Sequence, residues 1–205
     1  MMPMPARIPA GYCTRVLVQL LLCIMEVRDS QVLAAMSHPL RRRLLDMLKL
    51  DGPATASVLA EKTGQAVGNV SHHLKVLSGA GLVVEAPELA RDRRERWWRR
   101  PSGTLSWATS DFAGDPVAEV AETVSLDRQM TLSRGWLSEM ETAPQEWRDA
   151  WFSSDAWMRL TPAELAELND RVSALFAEFG AKAAADPATE REPVFVFGRG
   201  FRAQP

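Results

Sequence analysis

The sequence has little cysteine, a single tyrosine and three histidines among its 205 residues. Cys13 and Cys23 both lie near the N-terminal end and outside any C-x-x-C spacing. This disfavours a disulfide framework and a thiolate metal cluster, and fits a reducing, cytoplasmic setting. Long apolar runs are missing as well. Val16 to Met25 is broken by Gln19, and about ten apolar residues fall short of the roughly 20 needed to cross a bilayer. No membrane partner is expected. Arg7 and Arg15 before that run imitate a secretory signal, yet no A-x-A-like cleavage site follows. Also absent are a Gly-rich phosphate loop, G-x-S-x-G and H-E-x-x-H, and the acidic residues of the second half stand at spacings expected of solvated helix faces. The chain is therefore read as non-enzymatic and without a cofactor.

What is present is ordinary globular material, 46% hydrophobic and 24% charged, in a length that suits one large domain or two small ones. The net charge of -2 conceals an asymmetry. Residues 38 to 100 carry 12 basic and 7 acidic groups, whereas residues 101 to 205 carry 9 basic and 17 acidic. A basic middle beside an acidic tail suits one region for a polyanion and the other for water or protein.

Residues 1 to 28 read as an N-terminal extension, either an extra helix packing on the core or a stretch upstream of the true start, since Met25 directly precedes a well-formed helical domain. From there the punctuation is regular. Asp29 or Ser30 caps a helix whose stripe begins with Leu33 and Met36. Ser37 or His38 caps the next, with Pro39 at its first position and Leu40, Leu44, Leu45 and Leu48 on its apolar side, until Asp51-Gly52-Pro53 stops it. Thr55 caps a short helix over Ala56 to Lys62 that buries Val58 and Leu59, and Gly64 makes a tight turn. A further helix over about Val67 to Ser78 buries Val70, Leu74 and Leu77. Helix, turn and helix form the unit that delivers a second helix into a DNA groove. Two strand-like runs, Leu82 to Glu88 and Glu95 to Arg100, then predict a β-hairpin with an exposed tip at Ala90 to Arg94.

Burying Val70, Leu74 and Leu77 places Gly68, Asn69, Ser71, His72 and Lys75 outward near the start of their helix. Asn reads adenine in a bidentate way, Ser and His reach phosphates or base edges, and Lys75 neutralises a phosphate. In the hairpin, Arg91, Arg93, Arg94 and Arg96 are diluted only by Asp92 and Glu95, a composition suited to phosphate contacts or a narrow minor groove. Trp97 and Trp98 point to opposite faces of their strand, so one packs on the helices.

The run Val70-Ser71-His72-His73-Leu74-Lys75-Val76-Leu77, followed by Gly79-Ala80-Gly81-Leu82-Val83, resembles the ArsR-type winged-helix transcriptional regulators. Met36 to Leu45 and Leu59 to Gly64 extend the resemblance over residues 30 to 101. It implies a mainly α fold with a small β-hairpin wing. It departs from the family pattern at Ala66, which offers no side-chain cap, and at Gly68, which removes a base contact. Metal-sensing members use Cys pairs in an early helix, or Asp and His on a dimer-forming helix. Here Ala54 to Thr63 has no Cys, residues 74 to 205 have neither His nor Cys, and His72 and His73 diverge by about 100° on one helix. No metal site is expected.

Residues 102 to 114 read as a linker. Pro116 to Glu141 predicts a long helix, and Thr161-Pro162-Ala163-Glu164 opens another that reaches about Gly180. Val194 to Phe197 alternates as a short strand. Trp107, Trp136, Trp147, Trp151 and Trp157 suit a core or dimer seam, with an apolar effector pocket as the alternative. Residues 29–101 are thus expected to be a winged helix-turn-helix domain and residues 102–205 a helical dimerisation or effector region. The function expected is that of a homodimeric, sequence-specific regulator, a repressor, on a double-stranded, pseudo-palindromic DNA operator. The alternatives are a winged-helix module that binds protein, and a regulator responding to a small-molecule effector.

Overall fold

The computed structural model describes residues 24–26, 29–92, 95–101, 104–106 and 112–204. Two compact units divide the described chain, one ending at Arg128 and the other running from Gln129 onward.

In the first unit, β1 (Ile24–Glu26) is followed by α1 (Ser30–Met36) and α2 (Pro39–Leu50). Asp29 caps α1 by accepting the Gln31 N–H. His38 caps α2, its Nδ1 accepting the Leu40 N–H at 3.2 Å, and Pro39 occupies the first turn, where a missing N–H costs nothing. Arg41 reaches back to donate to the carbonyls of Ala35 and Ala34, satisfying the open end of α1. β2 (Ala54–Thr55) leads into α3 (Ala56–Thr63), where the Thr55 hydroxyl accepts the Val58 N–H. Gly64, at φ +66°, lets the chain leave α3 in a left-handed cap, with Gly64 N–H donating to Glu61 and Gln65 N–H to Ala60. α4 (Val67–Gly79) follows α3 after three residues, and as expected Ala66 gives it no side-chain cap.

The hairpin forms, with shorter strands than the sequence suggests: β3 (Val84–Glu85) pairs antiparallel with β4 (Trp97–Arg99). Pro87 has no N–H for a ladder and opens a 3-10 turn over Pro87–Leu89, which ends the first strand early. β2 adds to the other side of β4, Ala54 opposite Trp98, so the wing is a three-stranded sheet ordered β2-β4-β3. The stretch read as a linker contains β5 (Thr104–Ser106), which pairs in parallel with β1, and Phe112, which is buried. Of the N-terminal extension, read as an added helix or as a stretch upstream of the true start, residues 1–23, 27 and 28 lie outside the described residues, and Ile24–Glu26 form a strand whose partner lies about 80 residues away, a pairing no local pattern announces.

One core unites these elements. Leu33, Leu44, Leu59, Val70, Leu74, Leu77, Leu82 and Val83 are almost wholly excluded from solvent, with Trp98 packed among them and Trp97 only half-buried. Val58, expected inside, is 39% exposed. Leu59, Ala60 and Thr63 take the inner side of α3, and Val58 lies a 100° step away from Leu59.

α5 (Pro116–Glu139) begins in the first unit, where Ala118 and Ala121 are buried, and continues into the second. The second unit also contains α6 (Gln145–Ala150) and α7 (Pro162–Ala185). α7 starts with the expected capping box between Thr161 and Glu164 and runs five residues past Gly180. The strand expected at Val194 to Phe197 does not form. Those residues are exposed and have no neighbouring strand among the described residues to complete a ladder. The C-terminal segment instead lies along α7, Gly198 near Val172 and Gly200 near Leu165. No helix among the described residues is long and apolar enough to cross a membrane.

Leu74 is fully buried at the centre of the core, so Leu74→Ala should lower unfolding free energy by about 2–5 kcal/mol. A urea midpoint unchanged from wild type would contradict this packing.

Candidate nucleic-acid interface

The inner stripe of α4 fixes its outer one. Val70, His73, Leu74 and Leu77 are buried at i, i+3, i+4 and i+7. Gly68, Asn69, His72 and Lys75 are left exposed and Ser71 half-exposed, all but Lys75 on the N-terminal half of the helix. Asn69 donates from Nδ2 to the Gln65 side chain at 3.0 Å, which orients its amide beside the turn.

In the wing, Arg91 and Arg96 are exposed, while Arg93 and Arg94 lie outside the described residues. The tip is shaped by its own acids. The Glu95 carboxylate accepts the Arg91 N–H at 2.9 Å, and Asp92 accepts the Glu95 N–H at 3.1 Å. Arg96 stands 3.7 Å from Glu85 and Arg99 3.7 Å from Glu88, with both pairs well exposed. Such pairs are screened and weak, so these guanidiniums exchange partners at little cost. The geometry thus brings Asn69, Ser71, His72 and Lys75 onto one face of α4, and separately exposes Arg91 and Arg96 on the hairpin.

Sequence reasoning missed His73. It occupies the i+3 place of the 70/74/77 stripe, and that period was the signal that would have placed it inside. Its ring lies 4.5 Å from that of His38 and 5.4 Å from that of His72. Its buried Nδ1 has no hydrogen-bond partner among the described residues. Burial holds the His73 imidazole below its ordinary value, and the charges of His38, Arg41 and His72 push it the same way. His38 is lowered by burial and then by Arg41. The capped start of α2 thus meets the buried side of α4 through two rings that favour the neutral state.

No group of three or more metal-ligating side chains occurs among the described residues.

Residues 36–86 match a family model described as a helix-turn-helix domain. No curated protein matches the chain. Among solved structures, a possible transcriptional regulatory protein from Mycobacterium bovis (fragment 1-100) is 22% identical, with 50% of this chain and 91% of that one covered and a TM-score of 0.33. The homodimeric winged helix-turn-helix DNA-binding domain Mb0332 of the same organism, a possible ArsR-family transcriptional regulator, is 21% identical over 62% of this chain and 93% of that one, at a TM-score of 0.32. YusO from Bacillus subtilis is 17% identical over 82% and 92%, also at 0.32. At such TM-scores these likenesses carry no weight, and the assignment rests on the family match together with the order of the elements.

The neutral preference of His38 and His73 has a definite sign in acid. Their folded-state values lie below 6.5, so the unfolded chain binds these protons more readily. The stability they contribute is complete above about 6.5 and is lost as pH falls through the lowered folded values. The urea midpoint should therefore drop between about pH 7 and pH 5, and drop less in His73→Gln. Equal pH dependence in the two proteins would remove His73 from this role.

α3 and α4, within the matched residues 36–86, form a helix-turn-helix, and β3 paired with β4 adds a wing, the fold implied by the resemblance to ArsR-type regulators.

Proposed function

We propose that the chain is a sequence-specific DNA-binding transcriptional regulator of ArsR type, acting as a homodimeric repressor in the cytoplasm, without a metal site and without catalysis. The observation that carries the reading is the outward face of α4. A helix whose inner stripe is wholly buried presents Asn69, Ser71, His72 and Lys75 together, and the wing that follows it in the chain bears the exposed Arg91 and Arg96. In this reading α4 enters the major groove, where Asn69 and His72 meet base edges and Ser71 and Lys75 meet phosphate. Arg91, Arg93, Arg94 and Arg96 hold the flanking backbone.

The homodimer is supported by the surface of the second unit. None of its described residues is buried, and Leu168, Leu175, Phe176 and Phe179 of α7 are exposed. Apolar surface of this extent on one helix favours association. A two-fold dimer would set two recognition helices on half-sites about one helical turn apart. Of the tryptophans suggested for a pocket or seam, Trp151 and Trp157 are exposed, Trp136 and Trp147 half-buried, and Trp107 lies outside the described residues.

Removing the tip cations by Arg93→Ala with Arg94→Ala should weaken binding to every duplex and flatten the dependence of log K on log salt by about 2 for each protomer bound, about 4 for the dimer. Retention of the full slope would reject the wing's part. Asn69→Ala should instead reduce discrimination between operator and unrelated duplex by about 1–3 kcal/mol, read from competition titrations. Undiminished discrimination would take Asn69 off the reading face.

A further inference from the structure

Away from the α4 face, three arginines from distant parts of the first unit gather about one carboxylate. Asp46 sits one turn after Arg42 on α2, so the two share a helix face. Arg128 of α5 donates to the Asp46 carboxylate at 2.5 Å. Arg100 directly follows β4; burial lowers its value, and the Asp46 charge opposes this.

The charge does not balance. Asp46 is engaged by Arg128, which leaves Arg42 and Arg100 half-buried with no ion pair of their own among the described residues. The hydrogen bond of Arg42 goes to a thioether, Met36 Sδ at 3.9 Å, a weak acceptor for a guanidinium. Burial lowers the Arg42 value, the charge of Arg128 adds to this, Asp46 opposes it, and Arg100 lowers it further. Guanidinium groups withdrawn from water without carboxylate partners are costly, and their planar forks match an oxyanion in two-point fashion.

We propose that Arg42, Arg100 and Arg128, with Asp46 as the internal counter-charge, form a binding site for a small oxyanion, the phosphate or carboxylate group of an effector molecule. Asp46 holds Arg128 in place and competes with the incoming anion. A bound oxyanion would link α2 and the middle of α5 to the residue that follows β4, giving a small molecule a mechanical connection to the wing. The site does not depend on duplex binding, so it is tested on the free protein.

The experiment is thermal unfolding of the full chain in sodium phosphate, in sodium succinate, and in sodium chloride at the same ionic strength and pH. At an anion concentration roughly ten times Kd, phosphate or succinate should raise Tm by about 3 °C over chloride. The anion that does so identifies the ligand group. Arg100→Gln should lose most of that rise, whereas Asp46→Asn, which removes the competing carboxylate, should keep or enlarge it. Arg42→Gln provides a second test if Arg100→Gln unfolds in chloride. Equal melting in all three salts, or an undiminished rise in a folded Arg100→Gln or Arg42→Gln protein, would overturn the proposal.

Discussion

Val70, Leu74 and Leu77 lose all contact with solvent against a core that includes Leu44, Leu59, Leu82 and Trp98. Much of the remaining architecture follows from that burial. A helix has one fixed period, so sinking three residues of α4 determines the angular position of every other side chain on it. Burying each such side chain is worth about 1.5–3 kcal/mol, more than the few tenths that separate outward rotations by propensity. The face offered to a groove is thus a by-product of the core.

The wing is held to the same interior. Trp98 is at once a core residue and the centre of a three-stranded sheet, paired with Ala54 on one side and Glu85 on the other. β2 immediately precedes α3, so the strand carrying the arginines and the first helix of the helix-turn-helix pair start from one ladder. The acids in the hairpin, Glu95 and Asp92, accept backbone N–H groups that the short strands leave open. Turn chemistry thereby takes up charges that the composition alone suggested were only diluting the arginines.

The helical part was legible because its signals are local. Asp29, Thr55 and Thr161 cap the helices they precede, and Gly64 ends α3. The periods of α2 and α4 identified their buried leucines. The misreadings came where a partner is remote or a run is short. Nothing near Ile24 points to Thr104, and Val194 to Phe197 alternates like a strand but has no neighbour to pair with among the described residues. At the candidate interface, residue type and period together gave the exposed set on α4. The same period placed His73 inward, and attention to residue type obscured it. The grouping of Arg42, Arg100 and Arg128 about Asp46 had no signal in the sequence, since three-dimensional folding alone brings residues 82 positions apart into one ion pair.

Gly68 carries a last consequence. It lies in the first turn of α4 with ordinary helical backbone, and a Cβ placed there meets nothing within 4 Å. Any L side chain therefore fits without disturbing the interior, and alanine would gain about 1 kcal/mol of helix propensity. The position is a blank on an otherwise occupied surface, where new chemistry can be introduced for retargeting while the scaffold beneath stays as it is.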